Sequence, residues 1–180
     1  IMGVGFDAGH FNAFAASRRS TRDFLPTPVP GEVIEEIIAA GLTSPSWSNT
    51  RPFVVAVAEG EVRERLSAEF LSRFELVKTG QGEGLIGKIK ALIRRKGLPT
   101  SNWLVLKRYH KDLLPRSQRI GRDLFTHMGI DRDDKDARDE FWARNYEFFG
   151  APVELFLFTH KSLGKFAASD AGLFMQNLML

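Results

Sequence analysis

The chain has 180 residues, of which 43% are apolar and 26% are charged, a composition typical of a folded globular protein. This length is sufficient for one domain with a core, so we expect residues 1–180 to form a single domain. Because the chain has no cysteine, disulfides, thiolate metal sites and cysteine nucleophiles are excluded. The net charge of +3 is too small to indicate nucleic-acid binding by itself.

The N-terminal half is predicted to run from helix to strand to helix. Residues 31–42 have apolar side chains at helical spacing after a proline-rich stretch, which predicts a helix. The short β-branched run FVVAVA from Phe53 predicts a buried strand. Residues 61–77 return to helical spacing, and the glycine-rich TGQGEGLIG predicts a break after them. Further helices are predicted at 84–95, 117–128 and 137–148.

The C-terminal part is predicted to contain a second strand and an apolar helix. The segment PVELFLFT from Pro152 has little alternation and predicts another buried strand. Residues 166–180 carry one charge, Asp170, and predict a helix buried on more than one side, of the kind often found in oligomer interfaces. Because this pattern stops without a helix end signal, we expect the sequence to lack a C-terminal segment.

The apolar runs are far shorter than the ~18 residues that span a bilayer. No charged segment followed by an apolar one opens the given sequence, so no signal peptide is expected. We therefore expect no membrane segment, and the absence of cysteine favours the cytoplasm. The four histidines form no HExxH pair, and no GxSxG serine is present, so neither a metal site nor a catalytic side chain is predicted.

Three motif matches are weak. The glycines Gly82, Gly84 and Gly87 match GxGxxG, but a predicted helix precedes them and Glu83 would repel a phosphate, which favours a flexible connection. The acidic run DRDDKDARDE lacks the ligands and glycine of a calcium loop and favours a solvated loop before a helix. The basic KIKALIRRKG favours an exposed helix, with a non-enzymatic nucleic-acid-binding module as the alternative.

Two polar segments remain. The first, SRRSTRDF at residues 17–24, combines three guanidinium groups with three hydroxyls, a set that suits a phosphate dianion better than a carboxylate. The second, TSPSWSNTRPF at residues 43–53, is a stiff polar loop directly after a helix, where polar ligands are often held. The alternatives are a surface cluster or another basic phosphate site for the first, and an ordinary turn with Trp47 packed on the core for the second.

Together these segments resemble the FMN-dependent nitroreductase family. The family motif R-R/H-S-x-R/K reads RRSTR from Arg18, and the later A/S-P-S-x-x-N-x-Q-P-W/F reads SPSWSNTRPF from Ser44. A third match is FFGAPVELFLF followed by ASDAGLFMQNLML, which is similar to the family's G-A-P strand and D-x-G helix. The resemblance covers the chain from about residue 14 to its end.

The resemblance implies an α+β fold, a three-layer sandwich with a central, mostly antiparallel sheet between helices. It also implies a homodimer with FMN at the subunit interface. One group of site residues would hold the phosphate and ribityl region, with Arg22 at the N1/C2-carbonyl edge of the flavin: Arg18, Arg19, Ser20 and Arg22. The other group would reach the flavin from the partner chain: Pro45, Ser46, Trp47 and Asn49.

Two departures from the family pattern matter. Arg51 stands where glutamine is usual, which leaves the role of Arg51 open. The family's basic pair near the C-terminus, which also contacts the phosphate, has no counterpart in the 180 residues. Its absence predicts weaker FMN retention unless the sequence continues.

The implied activity is hydride transfer from NAD(P)H through FMN to a nitroaromatic, quinone or similar small-molecule acceptor in ping-pong order. No nucleic-acid or membrane partner is implied. Related flavoproteins that dehalogenate substrates, fragment flavin or oxidise azoline rings are the alternative. Acceptor choice is expected to depend on residues 100–149, where aromatic side chains are pocket candidates, although core packing is the favoured role for each: Phe125, Trp142, Tyr146 and Phe149.

Overall fold

The structure, a computed structural model, describes residues 7–82 and 109–180. These residues form six helices and two strands: α1 (Ala8–Ser17), α2 (Gly31–Leu42), β1 (Phe53–Glu59), α3 (Gly60–Gly82), α4 (Leu114–His127), α5 (Lys135–Ala143), β2 (Val153–Thr159) and α6 (Lys165–Met179). Single 3-10 turns occur at Trp47–Asn49, Phe148–Gly150 and Lys161–Leu163. The architecture is therefore α+β, as the sequence predicts.

The described residues divide into two compact units. The first contains residues 7–64 and 150–180, and the second contains 65–82 and 109–149. This division does not test whether residues 1–180 form a single domain, and the single domain stays a prediction.

The first unit is built on an antiparallel hairpin of β1 and β2. All seven residues of each strand pair, from Phe53 opposite Thr159 to Glu59 opposite Val153. The sequence correctly predicts both strands, but the prediction that they are buried is wrong for the single chain. In β1 only Ala58 is buried, and 65% of Val54 is exposed. Apolar composition marks a strand without showing which other element covers it.

Helix α6 supplies the core of the first unit. The Phe174 side chain is fully buried and lies 4.7 Å, between ring centroids, from Phe53 of β1. Helix α2, whose predicted bounds are confirmed, packs against α6 at the same place. There the buried Gly41 leaves no room for a Cβ atom, which would lie 2.8 Å from Leu178 Cδ2 and 2.9 Å from Phe174 Cζ. The glycine thus permits the close approach of the two helices.

The predicted helix ends are less accurate than the helices themselves. Helix α3 continues to Gly82, so the predicted break is wrong for residues 79–82, because each glycine costs a helix only about 1 kcal/mol. Residues 83–108, with the predicted helix 84–95 and the basic segment KIKALIRRKG, lie outside the described residues. Helix α5 ends at Ala143 rather than at 148, and no pattern predicted α1, which Asp7 caps.

The second unit is held by aromatic contacts. Phe141 and Phe148 are buried, and the Phe148 ring meets Phe70 of α3 edge-on at 6.0 Å. The backbone leaves the helical region at Phe148 and Phe149, whose φ angles are 55° and 53°. Because Phe148 is buried outside α5, the apolar pattern continues past the helix and explains why the sequence predicts a later end.

One half-buried acid in the first unit has a shifted pKa. Burial raises the pKa of the Glu154 carboxyl, and the Arg63 guanidinium acts in the opposite direction. A raised folded-state pKa means that stability is lost as pH rises through it, so ionised Glu154 opposes folding at neutral pH.

We expect Gly41→Ala to lower the free energy of unfolding by about 1–3 kcal/mol, because the added methyl group would overlap Leu178 and Phe174. The matched control is Gly31→Ala at the start of the same helix, where a Cβ atom meets nothing within 4 Å. Urea denaturation followed by circular dichroism measures both. Equal midpoints for the two variants would show that α2 and α6 are not in such close contact.

Candidate functional site

The arginine segment begins where α1 ends. Ser17 is the last helical residue, and Arg18 follows with φ −54° and ψ 132°, an extended conformation. No helix or strand is formed from Arg18 to Pro30. The motif therefore lies on extended chain between α1 and α2.

The guanidinium groups of this segment are exposed and bond only weakly to nearby carbonyls. Arg19 Nη1 donates to the Ala16 carbonyl at 3.3 Å, and Arg22 Nη1 donates to the Ser20 carbonyl at 3.4 Å. Among residues 7–82 and 109–180, no ion pair includes Arg18, Arg19 or Arg22. Guanidinium groups that no described carboxylate neutralises are suited to an anionic group such as a phosphate.

The second segment is docked on α6. The Ser44 side chain is buried and its Oγ donates to the Leu173 carbonyl at 3.2 Å. Three residues later, the Trp47 backbone N–H donates to Asp170 Oδ2 at 3.0 Å. The Trp47 indole stacks on Phe166 with ring centroids 3.9 Å apart and an interplanar angle of 21°. Although it packs on Phe166, Trp47 remains 52% exposed and offers an aromatic surface at the loop.

Three residues of this loop have a left-handed backbone conformation. The φ angles are 51° at Ser48, 52° at Asn49 and 45° at Arg51, a conformation that costs a non-glycine residue about 1–3 kcal/mol. Arg51 contributes to holding it, because its backbone N–H donates to Ser46 Oγ at 2.9 Å and its Nε donates to Asn49 Oδ1 at 3.3 Å. The structure thus gives Arg51 a role in the shape of the loop.

The structure brings the predicted site residues together as two groups. One is the extended segment with Arg18, Arg19, Ser20 and Arg22, and the other is the loop with Pro45, Ser46, Trp47 and Asn49. The hydrogen bonds and ring contacts described for these groups stay within each group or reach α1 and α6. No hydrogen bond, ion pair or ring contact given for the described residues joins one group to the other.

Asp170 is the site residue whose role the sequence did not predict. Its carboxylate is 4% exposed, and such groups are rarely buried unless they are hydrogen-bonded. The available signal was a lone charge in an otherwise apolar helix. That signal indicates a buried partner but does not say which one, since Trp47 is 123 residues away in the sequence.

Three of the four aromatic candidates of the second unit pack on other aromatic side chains. The Phe125 ring meets Phe141 edge-on at 5.8 Å, and Tyr146 lies 5.0 Å from the Phe74 ring. Trp142 also touches Phe141 at 6.1 Å but is 48% exposed. For Phe125, Tyr146 and Trp142 these contacts agree with the favoured interpretation as packing residues.

Within the described part of the chain, no group of three or more histidine or acidic side chains could hold a metal ion. None of the helices described there has both the length and the apolar character needed to cross a membrane.

Comparison with known proteins identifies the family. The family model described as the nitroreductase family matches residues 15–180. The chain belongs to this family. One similar solved structure is the FMN-dependent nitroreductase NfnB of Mycobacterium smegmatis in complex with NADPH. The TM-score is 0.74 and the sequence identity is 27%, and the match covers 96% of this chain and 70% of that one. The predicted α+β nitroreductase fold is thereby confirmed.

Two curated relatives are also similar. The 4-nitrobenzoate reductase of Pseudomonas putida is 34% identical over 170 residues, which cover 94% of this chain and 66% of the relative. The nitrobenzene nitroreductase of Ectopseudomonas oleovorans is 29% identical over 163 residues, which cover 91% and 64% respectively. The chain therefore spans just under two thirds of the length of these two relatives.

We expect Asp170→Ala to destabilise the protein by about 1.5–3 kcal/mol, because the Trp47 N–H loses a charged acceptor. Asp170→Asn keeps an acceptor oxygen of similar shape and should lose less. Amide hydrogen exchange at residues 44–50 and urea denaturation check both variants. Unchanged exchange in Asp170→Ala would show that the carboxylate does not hold the loop.

Proposed function

We propose that this protein is an FMN-dependent oxidoreductase that passes hydride from NAD(P)H to a nitroaromatic, quinone or similar acceptor in ping-pong order. The observation that carries the proposal is the set of three exposed arginines in a nitroreductase-family motif, with no ion-pair partner among the described residues. The names of similar proteins add support: two reduce nitroarenes, and a third is FMN-dependent and was solved with NADPH.

The arginines are proposed to contact different parts of FMN. Arg18 and Ser20 hold the FMN phosphate, and Arg19 contacts the phosphate or ribityl region. Arg22 would donate to the N1/C2-carbonyl edge of bound FMN and would stabilise negative charge on that side of the flavin. One such placed donor typically contributes about 3 kcal/mol to a transition state. FMN supplies the hydride chemistry, so the chain needs to provide orientation and charge rather than a general acid or base.

The loop residues Pro45, Ser46, Trp47 and Asn49 are proposed to reach the flavin of the partner chain. Support comes from their shape: the exposed Trp47 face and the left-handed turn are held by α6 rather than by the arginine segment. Building the site from two chains is consistent with two groups that make no described contact with each other. Asp170 and Arg51 act in this proposal as positioning residues for the loop.

A homodimer is proposed because α6 keeps much apolar surface exposed. The buried face of the helix contains Ala167, Asp170 and Phe174. To one side of that face, at intervals of seven residues, Phe166 and Leu173 are 46% and 44% exposed. Exposed apolar surface of this kind commonly marks a protein interface.

The compartment is proposed to be the cytoplasm, since a chain without cysteine has no need of an oxidising environment. The single domain predicted for residues 1–180 is likewise kept as part of the proposal.

The visible spectrum of the purified full-length protein tests the proposed cofactor. We expect flavin absorption bands that remain after gel filtration or return after addition of FMN. Arg18→Ala should weaken FMN binding about tenfold or more, because a charge-assisted hydrogen bond is lost. Arg22→Ala should instead slow flavin reduction by NAD(P)H more than it weakens binding.

FMN titration and stopped-flow reduction separate the two arginine effects, and Arg65→Ala is the matched control, an exposed arginine outside both motifs. A protein that stays colourless after FMN addition contradicts the proposed function. Equal effects of Arg18→Ala and Arg22→Ala on both steps contradict only the division of labour.

Sedimentation equilibrium tests the shared site. We expect a dimer, and Leu173→Glu should shift the equilibrium to monomer because it places a charge on the exposed stripe of α6. FMN occupancy should fall with the dimer fraction. A monomer with full flavin occupancy would rule out a site built from two chains.

A further inference from the structure

A second cluster of arginines lines a cleft in the second unit. The cleft has a volume of about 780 Å³, which is within the usual range for small-molecule sites. Gln118, Arg122 and Phe125 of α4 lie on one side at helical spacing, and Thr126 follows them. Arg132 and Arg138 line the cleft from the loop before α5 and from α5 itself.

The charges in this cleft are not balanced. Asp131 is the one carboxylate among the lining residues described, against three guanidinium groups. No ion pair described in residues 7–82 and 109–180 involves Arg122, Arg132 or Arg138. The cleft therefore has an excess of positive charge that would attract an anion.

Arg138 is held in place by a ring contact and a hydrogen bond. Its guanidinium carbon lies 5.2 Å from the centroid of the Phe125 ring, and its Nη1 donates to the Arg132 carbonyl at 3.0 Å. Its Nε is buried and has no hydrogen-bond acceptor among the described atoms. A guanidinium whose orientation is already determined by packing loses little freedom when it binds a ligand.

The end of α4 does not oppose an anion strongly. The last carbonyls of a helix carry partial negative charge when they are free. Here the Phe125 carbonyl accepts from Ile130 N–H at 2.9 Å, and the Thr126 carbonyl accepts from Gly129 N–H at 3.1 Å. With φ 67°, Gly129 adopts the left-handed conformation typical of such a helix end.

We propose that this cleft binds a phosphate group of an anionic ligand. Three guanidinium groups against one carboxylate suit a group that carries two negative charges, and Gln118 and Thr126 add neutral donors. The phosphate belongs either to the nicotinamide nucleotide of the proposed reaction or to a free phosphate compound. Only the first source rests on the proposed function.

Calorimetric titration of the full chain, saturated with FMN, with inorganic pyrophosphate tests the proposal. We expect saturable binding that Arg122→Gln and Arg138→Gln each weaken about tenfold. The matched control is Arg119→Gln, which removes an exposed arginine of α4 that does not line the cleft, and should change the affinity less than twofold. Arg138→Lys keeps the charge but loses the forked donors of the guanidinium, so its pyrophosphate affinity should lie between those of wild type and Arg138→Gln.

Absence of saturable pyrophosphate binding would overturn the proposal, as would equal weakening by Arg119→Gln. If FMN does not bind, the same titration in the Arg18→Ala background keeps the two proposals separate, since pyrophosphate affinity should not depend on Arg18. Because Arg138 packs on Phe125, a loss of fold in its variants leaves the exposed Arg122→Gln as the deciding variant.

Titration with NADPH and NADH identifies the source of the phosphate. If Arg122→Gln weakens NADPH binding and leaves NADH binding unchanged, the cleft binds the 2′-phosphate of the nucleotide. If it weakens both equally, the cleft binds the pyrophosphate bridge. If it weakens only inorganic pyrophosphate binding, the ligand is a free phosphate compound.

Discussion

The hydrogen bond from the Trp47 backbone N–H to Asp170 is the contact on which the candidate site depends. It joins a loop near residue 47 to a helix more than a hundred residues later, and its acceptor belongs to a buried residue. A buried carboxylate requires hydrogen-bond donors, and the Trp47 N–H provides one. The left-handed turn that follows Trp47 then has one fixed end on α6.

Helix α6 thus combines three functions on two faces. One face fills the core through Phe174, which meets β1 and the glycine of α2. The same face presents Asp170 to the loop, one helical turn before Phe174. A neighbouring apolar stripe is exposed and is the proposed dimer contact. Any change that displaces α6 therefore affects folding, the loop and the proposed interface together.

The sequence predicted the helices and strands themselves better than it predicted their ends and their burial. The hydrophobic periodicity correctly predicted α2, the main part of α3, and both strands, because each depends on a local pattern of side chains. The helix ends were less accurate, since residues such as Phe148 are apolar for reasons of packing outside the helix. The burial of β1 and β2 was predicted wrongly, because burial depends on what lies against a strand.

For the site, the sequence by itself determined the family and the identity of the two polar segments. Ordered residue types at defined spacing are sufficient for that, because they are local properties of the chain. Only the tertiary structure decided that Asp170 holds the loop at Trp47, and that arginines from α4, α5 and the loop between them line one cleft. Such contacts join residues distant in sequence, whose approach depends on how helices pack rather than on any local pattern.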